Sequence, residues 1–306
     1  MSGHHHSHDH GHDHGHDHAH SHHKLDAALG LTLLFAIVEL FGGWVSNSLA
    51  LLADAAHMSS DVVALALAAF AGRLAVKPAH NGMTYGYGRA RVLAAQLNGF
   101  ALWFLSGWIV WEAVGRLATP PAVQGGVVII IGFIGLAVNL IILKWLHGAH
   151  DINSRAAYWH VVGDALGSVA AVLAGIIIYF TGWMPIDPIL SFLVAAILAW
   201  GGWRLIRETT FELMDAVPQG ADIAAVEAGI TEVAGVSGIH HTHVWRLPDS
   251  RMAMSAHIEI EAMGEWDDIL PQLLDLLHRQ GIEHATLQPE SAHLENNCGS
   301  CTGPNC

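Results

Sequence analysis

Cysteine is almost absent from this chain. Its 306 residues include three, and all of them lie at the C-terminal end: Cys298, Cys301 and Cys306. No disulfide framework can therefore hold the fold together. Basic residues are also scarce, because 13 Lys and Arg stand against 27 Asp and Glu, which gives a formal net charge of −14. That balance excludes the basic surface by which proteins bind nucleic acid, so we expect no nucleic-acid partner.

Charge of either sign is low, at 13% of residues, whereas 52% of residues are hydrophobic. This composition excludes an ordinary soluble domain and indicates a polytopic α-helical membrane protein. Apolar runs near or above the ~20 residues that cross a bilayer recur along residues 25–208, the predicted membrane domain. The six predicted spans cover residues 26–45, 48–72, 92–117, 124–147, 157–180 and 186–206.

The few basic residues assign the two sides of the membrane. Arg116 falls on one side, and the basic residues near all the other connections fall on the opposite side. By the positive-inside rule, the side with more basic residues is cytoplasmic, and both termini lie on that side. We expect the membrane to be a bacterial inner membrane. The cytoplasmic basic residues are Lys24, Arg73, Lys77, Arg89, Arg91, Lys144, Arg155, Arg204 and Arg207.

Two of the spans carry the same motif, a His followed four residues later by an Asp. The pairs are His57 with Asp61 and His160 with Asp164. This spacing puts both side chains on one face of a helix, one turn apart. Ionisable groups inside a membrane are costly, so they have to face a partner or a water-filled cavity. Two such faces turned toward each other supply two nitrogens and two oxygens, a four-coordinate set that Zn²⁺ accepts.

A single pair of this kind is equally compatible with a packing contact, because hydrogen bonds between membrane helices are common. Its repetition in a second span favours a metal site. Asp54 lies one turn before His57 on a similar face, which suggests a role in shaping the cavity or in a proton path. Asp187, at the start of the last span, is expected to cap an extracytoplasmic turn.

Residues 1–24 consist almost entirely of His, Asp, Gly and Ser, and they hold twelve of the 24 His. An expression tag is one interpretation, but the recurring Gly-His-Asp-His unit favours a native segment. This composition cannot bury a core, so we predict a disordered tail. Imidazoles interspersed with carboxylates suit borderline divalent ions, which indicates metal capture.

After residue 208 the composition changes, and residues 209–292 form the predicted cytoplasmic domain. The predicted order of its elements is αββαβ, which suggests a small fold with two layers, one of helices and one of strands. The helices cover residues 221–234 and 266–280, and the strands cover residues 237–247, 252–262 and 282–290.

The three strands carry five His. Alternation along the first strand places His240 on one face and His241 and His243 on the other. A lone strand His is usually structural. Together with His257 and His284 on the other strands, however, the group favours a cytoplasmic metal site.

Four stretches of the sequence together form a pattern that is highly specific for one protein family. They are Ser46–Asp61 around the first pair, the loop Tyr85–Arg89, the second pair His160 and Asp164, and Ile282–Glu290. With these stretches, residues from about 25 to 292 resemble the cation diffusion facilitator family, in its zinc-transporting branch.

The resemblance implies a homodimer of six-helix subunits with ferredoxin-like cytoplasmic domains. It also implies export of Zn²⁺, with Cd²⁺ and Co²⁺ as further candidates, in exchange for protons. Zn²⁺ is then cargo and a regulatory ion, and no cofactor or enzymatic step is implied. The transport-site residues carried over by position are His57, Asp61, His160 and Asp164. The residues that match cytoplasmic metal-binding positions of some members are His240, His257 and His284.

Two features depart from the family pattern. Some members have a second site on the loop between spans 2 and 3. Here Met83 and Tyr87 stand where ligands are expected and leave His80 alone, so we predict no site on that loop. The tail over residues 293–306 is also outside the pattern, and its three cysteines form either a soft-metal clamp or a reduced tail.

Three rival functions fit part of the sequence. A membrane metallohydrolase needs an open metal position and a general base, typically in a His-Glu-x-x-His motif that the sequence lacks. A metal sensor or storage protein explains the His-rich tail and the cytoplasmic domain, but not two ligand pairs inside spans. A channel remains an alternative, and it differs from an exchanger because its flux does not follow a pH gradient.

Overall fold

The computed structural model describes two stretches of the chain, residues 16–146 and 152–291. Within them, the side chains that are not described belong to residues 16–29, 146, 152–157, 159 and 160. The described residues fold into two compact units. The first contains the chain up to Leu65 and Phe100–Gly202, and the second contains Ala66–Gly99 and the chain from Trp203 onward.

Six long helices account for most of the chain up to residue 213. Among the described residues, five helices are long and apolar enough to cross a bilayer, and the first helix adds a shorter apolar stretch, Gly30–Ser46. The six predicted spans are confirmed, and the chain is a multi-pass membrane protein. The helices are α1 (His16–Ser46), α2 (Leu49–Ala75), α3 (Ala90–Ala118), α4 (Gly125–Leu146), α5 (Ile152–Thr181) and α6 (Ile186–Leu213).

Helix α1 begins earlier than the sequence indicated. The predicted span starts at residue 26, whereas the helix starts at His16 and includes the last part of the predicted disordered tail. A helix that is already formed extends easily, because each added residue gains a backbone hydrogen bond without a new nucleation step. Residues 1–15 of the tail lie outside the described residues.

Helices α4 and α5 approach each other closely, because glycine lines their contact. A Cβ atom at Gly125 would lie 2.8 Å from the carbonyl oxygen of Gly175, and one at Gly175 would lie 2.9 Å from the amide nitrogen of Ile129. Small residues at such crossings let two backbones pack tightly within a membrane. The buried side chains of Asn139 and Ser168 add a hydrogen bond of 3.2 Å between the same helices.

The end of the chain forms a small domain with the predicted αββαβ order. The elements are α7 (Ile223–Thr231), β1 (Val236–Arg246), β2 (Met252–Ile260), α8 (Trp266–Arg279) and β3 (Ile282–Ser291). The β1 and β2 strands pair antiparallel, β2 and β3 pair parallel, and the order in the sheet is β1-β2-β3. The parallel pair requires a crossover, which α8 provides.

Alternation along β2 separates a buried face of the sheet from an outer face. Ile258 of β2 packs with Ile230 of α7 and Leu273 of α8, and all three are fully buried in one hydrophobic core. The residues that flank Ile258 on the strand, His257 and Glu259, are partly exposed. Successive side chains of a strand point to opposite faces, so both lie on the face away from the helices.

The second unit contains more than the predicted cytoplasmic domain. It includes the connection between α2 and α3, where Arg89 forms an ion pair with Asp215. Gln96 Nε2 also donates to Thr210 Oγ1 at 3.0 Å. The predicted boundary at residue 208, which follows a change in composition, stays a prediction. Composition cannot report pairing between distant segments such as these.

The close contact of α4 and α5 predicts a loss of stability in Gly175→Ala. The added methyl group has to push the two backbones apart, so we expect the free energy of unfolding to fall by about 1–3 kcal/mol. Thermal unfolding of the full chain in detergent measures the change. The matched control is Gly107→Ala on α3, where an added Cβ meets nothing within 4 Å.

The control variant replaces glycine by a better helix former and should be neutral or stabilising, by up to about 1 kcal/mol. An equal loss of stability in both variants would contradict the close approach of α4 and α5.

Candidate metal sites

His57 and Asp61 lie one turn apart on α2. The Nε2 atom of His57 is 3.8 Å from Oδ2 of Asp61, and the two side chains are 23% and 29% exposed. Helical periodicity explains this geometry, because residues four positions apart are neighbours on a helix surface. The helix therefore brings the first predicted pair together without help from other elements.

A cavity of about 490 Å³ lies between α2, α5 and α6, all within the first unit. Its ionisable lining residues are His57 and Asp54 of α2 and Asp164 of α5. Asp164 is buried, with 6% of its surface exposed. His160 lies one turn earlier on α5, but its side chain is outside the described residues. One member of each predicted pair, His57 of α2 and Asp164 of α5, thus lines the same cavity.

A carboxyl pair adjoins the cavity. Glu39 of α1 is almost fully buried, with 1% of its surface exposed, and lies near Asp54. A second buried carboxyl group therefore lies close to the wall of the cavity.

The chemistry of this cavity suits a divalent cation. Imidazole nitrogens and carboxylate oxygens are the ligands that Zn²⁺ and similar borderline ions accept. A water molecule occupies about 30 Å³ in the liquid, so the cavity has room for an ion with several of its waters. The rest of the lining, such as Leu190 and Ile197, is apolar and offers no competing ligand.

A second cluster of ligands lies on the outer face of the cytoplasmic sheet. Nδ1 of His257 is 2.7 Å from Oε1 of Glu290, and Nε2 of His240 is 3.2 Å from Oε2 of the same carboxylate. One ligand atom from each of these residues lies within 4.8 Å of the other two. Glu259 adds a carboxylate oxygen 3.7 Å from Nε2 of His240. Two imidazoles with a carboxylate form a zinc ligand set with an open fourth position.

Strand β1 departs from the alternation that the sequence predicted. It pairs His240 with His257 but His243 with Ser255, so two residues of β1, at positions 241 and 242, oppose one of β2. His241 in this bulge has a φ of 52°, and its ring stacks on that of His257 at 4.9 Å. The expectation that His241 faces away from His240 was therefore wrong, because an extra residue in a bulge re-aims the side chains around it.

The described chain does not bring His284 to this cluster. His257 pairs with Gln288 on β3, whereas His284 is exposed and pairs with Ala253. Four residues of strand, about 13 Å, separate these two positions. Glu290 takes the place that the resemblance implied for His284. Glu290 lies near His257 because β3 pairs parallel with β2, which puts the end of β3 beside His257. The spacing of the His residues in the sequence does not indicate this.

The loop between α2 and α3 engages its single His in local hydrogen bonds. Nδ1 of His80 accepts from the Gly82 amide at 3.2 Å, and its Nε2 lies 3.0 Å from the Tyr87 hydroxyl. Both ring nitrogens therefore take part in contacts within the loop, and the absence of a metal site there stays a prediction. The tail cysteines Cys298, Cys301 and Cys306 lie outside the described residues.

The cytoplasmic cluster predicts different effects for two substitutions on β3. Glu290→Gln keeps the shape of the side chain but removes the charge that both imidazoles face, so Zn²⁺ affinity of this cluster should fall by about 10-fold or more. His284→Ala should leave the affinity unchanged. Calorimetric titration is best done on a chain without residues 2–23 and with Asp164→Asn, which removes competing zinc ligands. Equal losses in both variants would assign His284 to the site after all.

Comparison with known proteins assigns both parts of the chain. A cation efflux transmembrane domain matches residues 25–214, and the cytoplasmic domain of cation efflux proteins matches residues 218–292. Together these matches cover the six helices and the αββαβ domain.

Three relatives match over most of their length. The zinc transporter ZitB of Yersinia pestis is 41% identical over 288 residues, which cover 92% of this chain and 90% of the relative. The cadmium, cobalt and zinc/H(+)-K(+) antiporter of Bacillus subtilis is 37% identical, with 87% and 88% covered. The metal cation efflux system protein CzcD of Cupriavidus metallidurans is 36% identical, with 89% and 87% covered. The chain therefore belongs to the cation efflux family, the cation diffusion facilitators that its paired motifs indicated.

Proposed function

We propose that this protein exports divalent cations, Zn²⁺ foremost, from the cytoplasm in exchange for protons. The observation that carries the proposal is the cavity between α2, α5 and α6, where His57 and Asp164 from different helices line one space. The protein is a transporter and not an enzyme. The names of its relatives, which include zinc transporters and a cadmium, cobalt and zinc antiporter, support the same class of cargo.

The proposed transport site consists of His57, Asp61, His160 and Asp164. Two imidazoles and two carboxylates match the four-coordinate preference of Zn²⁺, and Cd²⁺ and Co²⁺ are similar borderline ions. Mg²⁺ and Ca²⁺ prefer shells made of oxygen alone with more ligands, so the site discriminates against them. The two carboxylates also balance the charge of the ion inside a bundle that is otherwise apolar.

Proton exchange follows from the ligand chemistry. Zn²⁺ binds neutral imidazole and ionised carboxylate, so loading a protonated site releases protons. If the cavity opens alternately to each side of the membrane, inward proton flow drives outward metal flow. We also assign Asp54, which lines the cavity, and the buried Glu39 near it to the proton path, because both carry carboxyl groups.

The setting of the transporter completes the proposal. We place it in a bacterial inner membrane as a homodimer, with both termini and the αββαβ domain in the cytoplasm. The excess of basic residues on one side supports this orientation. The cluster of His240, His257 and Glu290 then lies in the cytoplasm as a regulatory metal site, where its partly exposed ligands report the metal concentration before export.

The deciding experiment measures Zn²⁺ flux into proteoliposomes with an imposed pH gradient. Wild-type protein should accumulate Zn²⁺ when the lumen is acidic, and collapse of the gradient should stop accumulation. Asp61→Ala and Asp164→Asn should reduce flux to the level of empty liposomes, because each removes a charged ligand. Asp267→Asn, which changes an exposed carboxylate on α8, is the matched control and should transport normally.

Two outcomes of that experiment would contradict the proposal. Flux that follows the metal gradient and ignores the pH gradient would identify a channel. Near-normal flux in folded Asp61→Ala or Asp164→Asn would remove these residues from the transport site.

The nitrogen ligand of α2 predicts the ion selectivity. His57→Asp replaces a nitrogen by an oxygen and adds a negative charge, so the variant should keep some transport while its range widens toward Cd²⁺ or Mn²⁺. Its pH dependence should also change, because protons and Zn²⁺ compete for the imidazole nitrogen that the variant lacks. Competition assays across a pH series test both effects. An unchanged ion ranking together with an unchanged pH profile would show that His57 is not a ligand.

A further inference from the structure

Asp187 is a buried carboxylate in the first turn of α6, and its hydrogen-bond partners lie on another helix. Its side chain is 1% exposed. Its Oδ2 accepts from the Leu49 amide at 2.7 Å, and its Oδ1 accepts from the Ala50 amide at 3.3 Å and from the Ser48 hydroxyl. Asp187 therefore caps the N-terminus of α2, whereas the sequence indicated a cap within its own turn.

The start of α2 needs such a partner. The first amides of a helix have no acceptor within the helix, and within an apolar bundle each unsatisfied amide is costly. Only Asn47 and Ser48 separate α1 from α2, and Asn47 adopts a left-handed φ of 58° to make the turn. Ser48 Oγ accepts from the Leu51 amide at 3.3 Å, which leaves Leu49 and Ala50 to a carboxylate from elsewhere.

Arg116 of α3 balances the charge of this cap. Its Nη1 lies 4.0 Å from Oδ2 of Asp187 and donates to the Asn47 carbonyl at 2.6 Å. Its Nε donates to Glu112 at 2.9 Å, which holds the guanidinium in place. Arg116 is the basic residue that the positive-inside rule assigns to the extracytoplasmic side. The cap explains its presence there, since a buried carboxylate requires a cation nearby.

The capping bond joins two walls of the transport cavity. Ala50, whose amide donates to Asp187, lines the cavity, as does Leu190 one turn beyond Asp187 on α6. His57 lies two turns further along α2, about 10 Å from Ala50 at 1.5 Å per residue. Asp187 is therefore too far along the bundle to touch a bound ion, but it fixes how the helix that carries His57 and Asp61 lies against α6.

We propose that Asp187 is a positioning residue for transport and that Arg116 balances its charge. Asp187 holds α2 and α6 together at their extracytoplasmic ends, so that these two walls of the cavity move together when the cavity opens to the other side of the membrane. The proposal rests on the proposed transport function. It predicts that loss of the cap slows the change of access and leaves the zinc ligands intact, because His57 and Asp61 keep their spacing on α2.

The test combines zinc-transport kinetics with hydrogen exchange on the full-length protein. Asp187→Asn keeps the size of the side chain, but it replaces one of the two acceptor oxygens by an NH₂ donor, which then faces the amide of Leu49 or Ala50, and it has no charge for Arg116. The maximal rate of Zn²⁺ transport in proteoliposomes should fall by roughly 10-fold, while KM stays within about threefold of wild type. Exchange of the peptide that contains Leu49 and Ala50 should accelerate by roughly 10-fold.

Two further variants complete the test, one as a milder loss of the cap and one as a control. Ser48→Ala removes one hydrogen bond to Asp187 and should shift both readouts in the same direction by a smaller factor, which covers the case that Asp187→Asn does not fold. The control is Asp222→Asn, which changes the cap of α7, where Asp222 accepts from the Ala225 amide at 3.1 Å. Asn caps a helix about as well as Asp, so this control should leave transport unchanged.

The outcomes separate this proposal from the transport function. Wild-type protein that moves no Zn²⁺ under a pH gradient contradicts the proposed function, whatever the exchange data show. With active wild type, faster exchange at Leu49 and Ala50 together with a lower maximal rate supports the positioning role. A normal maximal rate in folded Asp187→Asn and Ser48→Ala overturns it. A loss that appears entirely as a raised KM also overturns it, because Asp187 then acts on ion binding.

Discussion

A polar group buried in an apolar membrane bundle has to find its partner inside the protein, and the first unit is arranged around this requirement. Asn139 of α4 bonds Ser168 of α5, and Asp187 of α6 caps α2. Each bond joins two helices. The polar groups therefore fix the positions of the helices around the cavity. The bundle through which a charged ion is transported thus also contains buried charged side chains.

Features that act within one element could be predicted from the sequence. The six spans follow from length and apolar composition, and the αββαβ order follows from the change between two periodicities. The first pair, His57 and Asp61, is close because four residues make about one helical turn. Asp164 is buried beside the cavity between α2, α5 and α6. This agrees with the sequence, because an ionisable group inside a membrane has to face a partner or a cavity.

Features that depend on contacts between distant segments could not be predicted in the same way. The bulge at His241 appears only when β1 is paired with β2, and alternation along a single strand cannot reveal it. Glu290 reaches His257 because β3 runs parallel to β2, which a list of His positions does not contain. Asp187 caps α2 because two helix starts meet in the folded bundle, although they lie 138 residues apart in the chain.

These contacts join the helices around the cavity in two pairs. Glycine contacts and the bond from Asn139 to Ser168 hold α5, the helix of Asp164, against α4. The Asp187 cap joins α2, the helix of His57, to α6. Each pair carries half of the proposed ligand set, so the full set forms only where the two pairs meet. In the proposed mechanism, a small displacement of one pair against the other alters the ion's coordination and the cavity's exposure together, which is what coupling of binding to access requires.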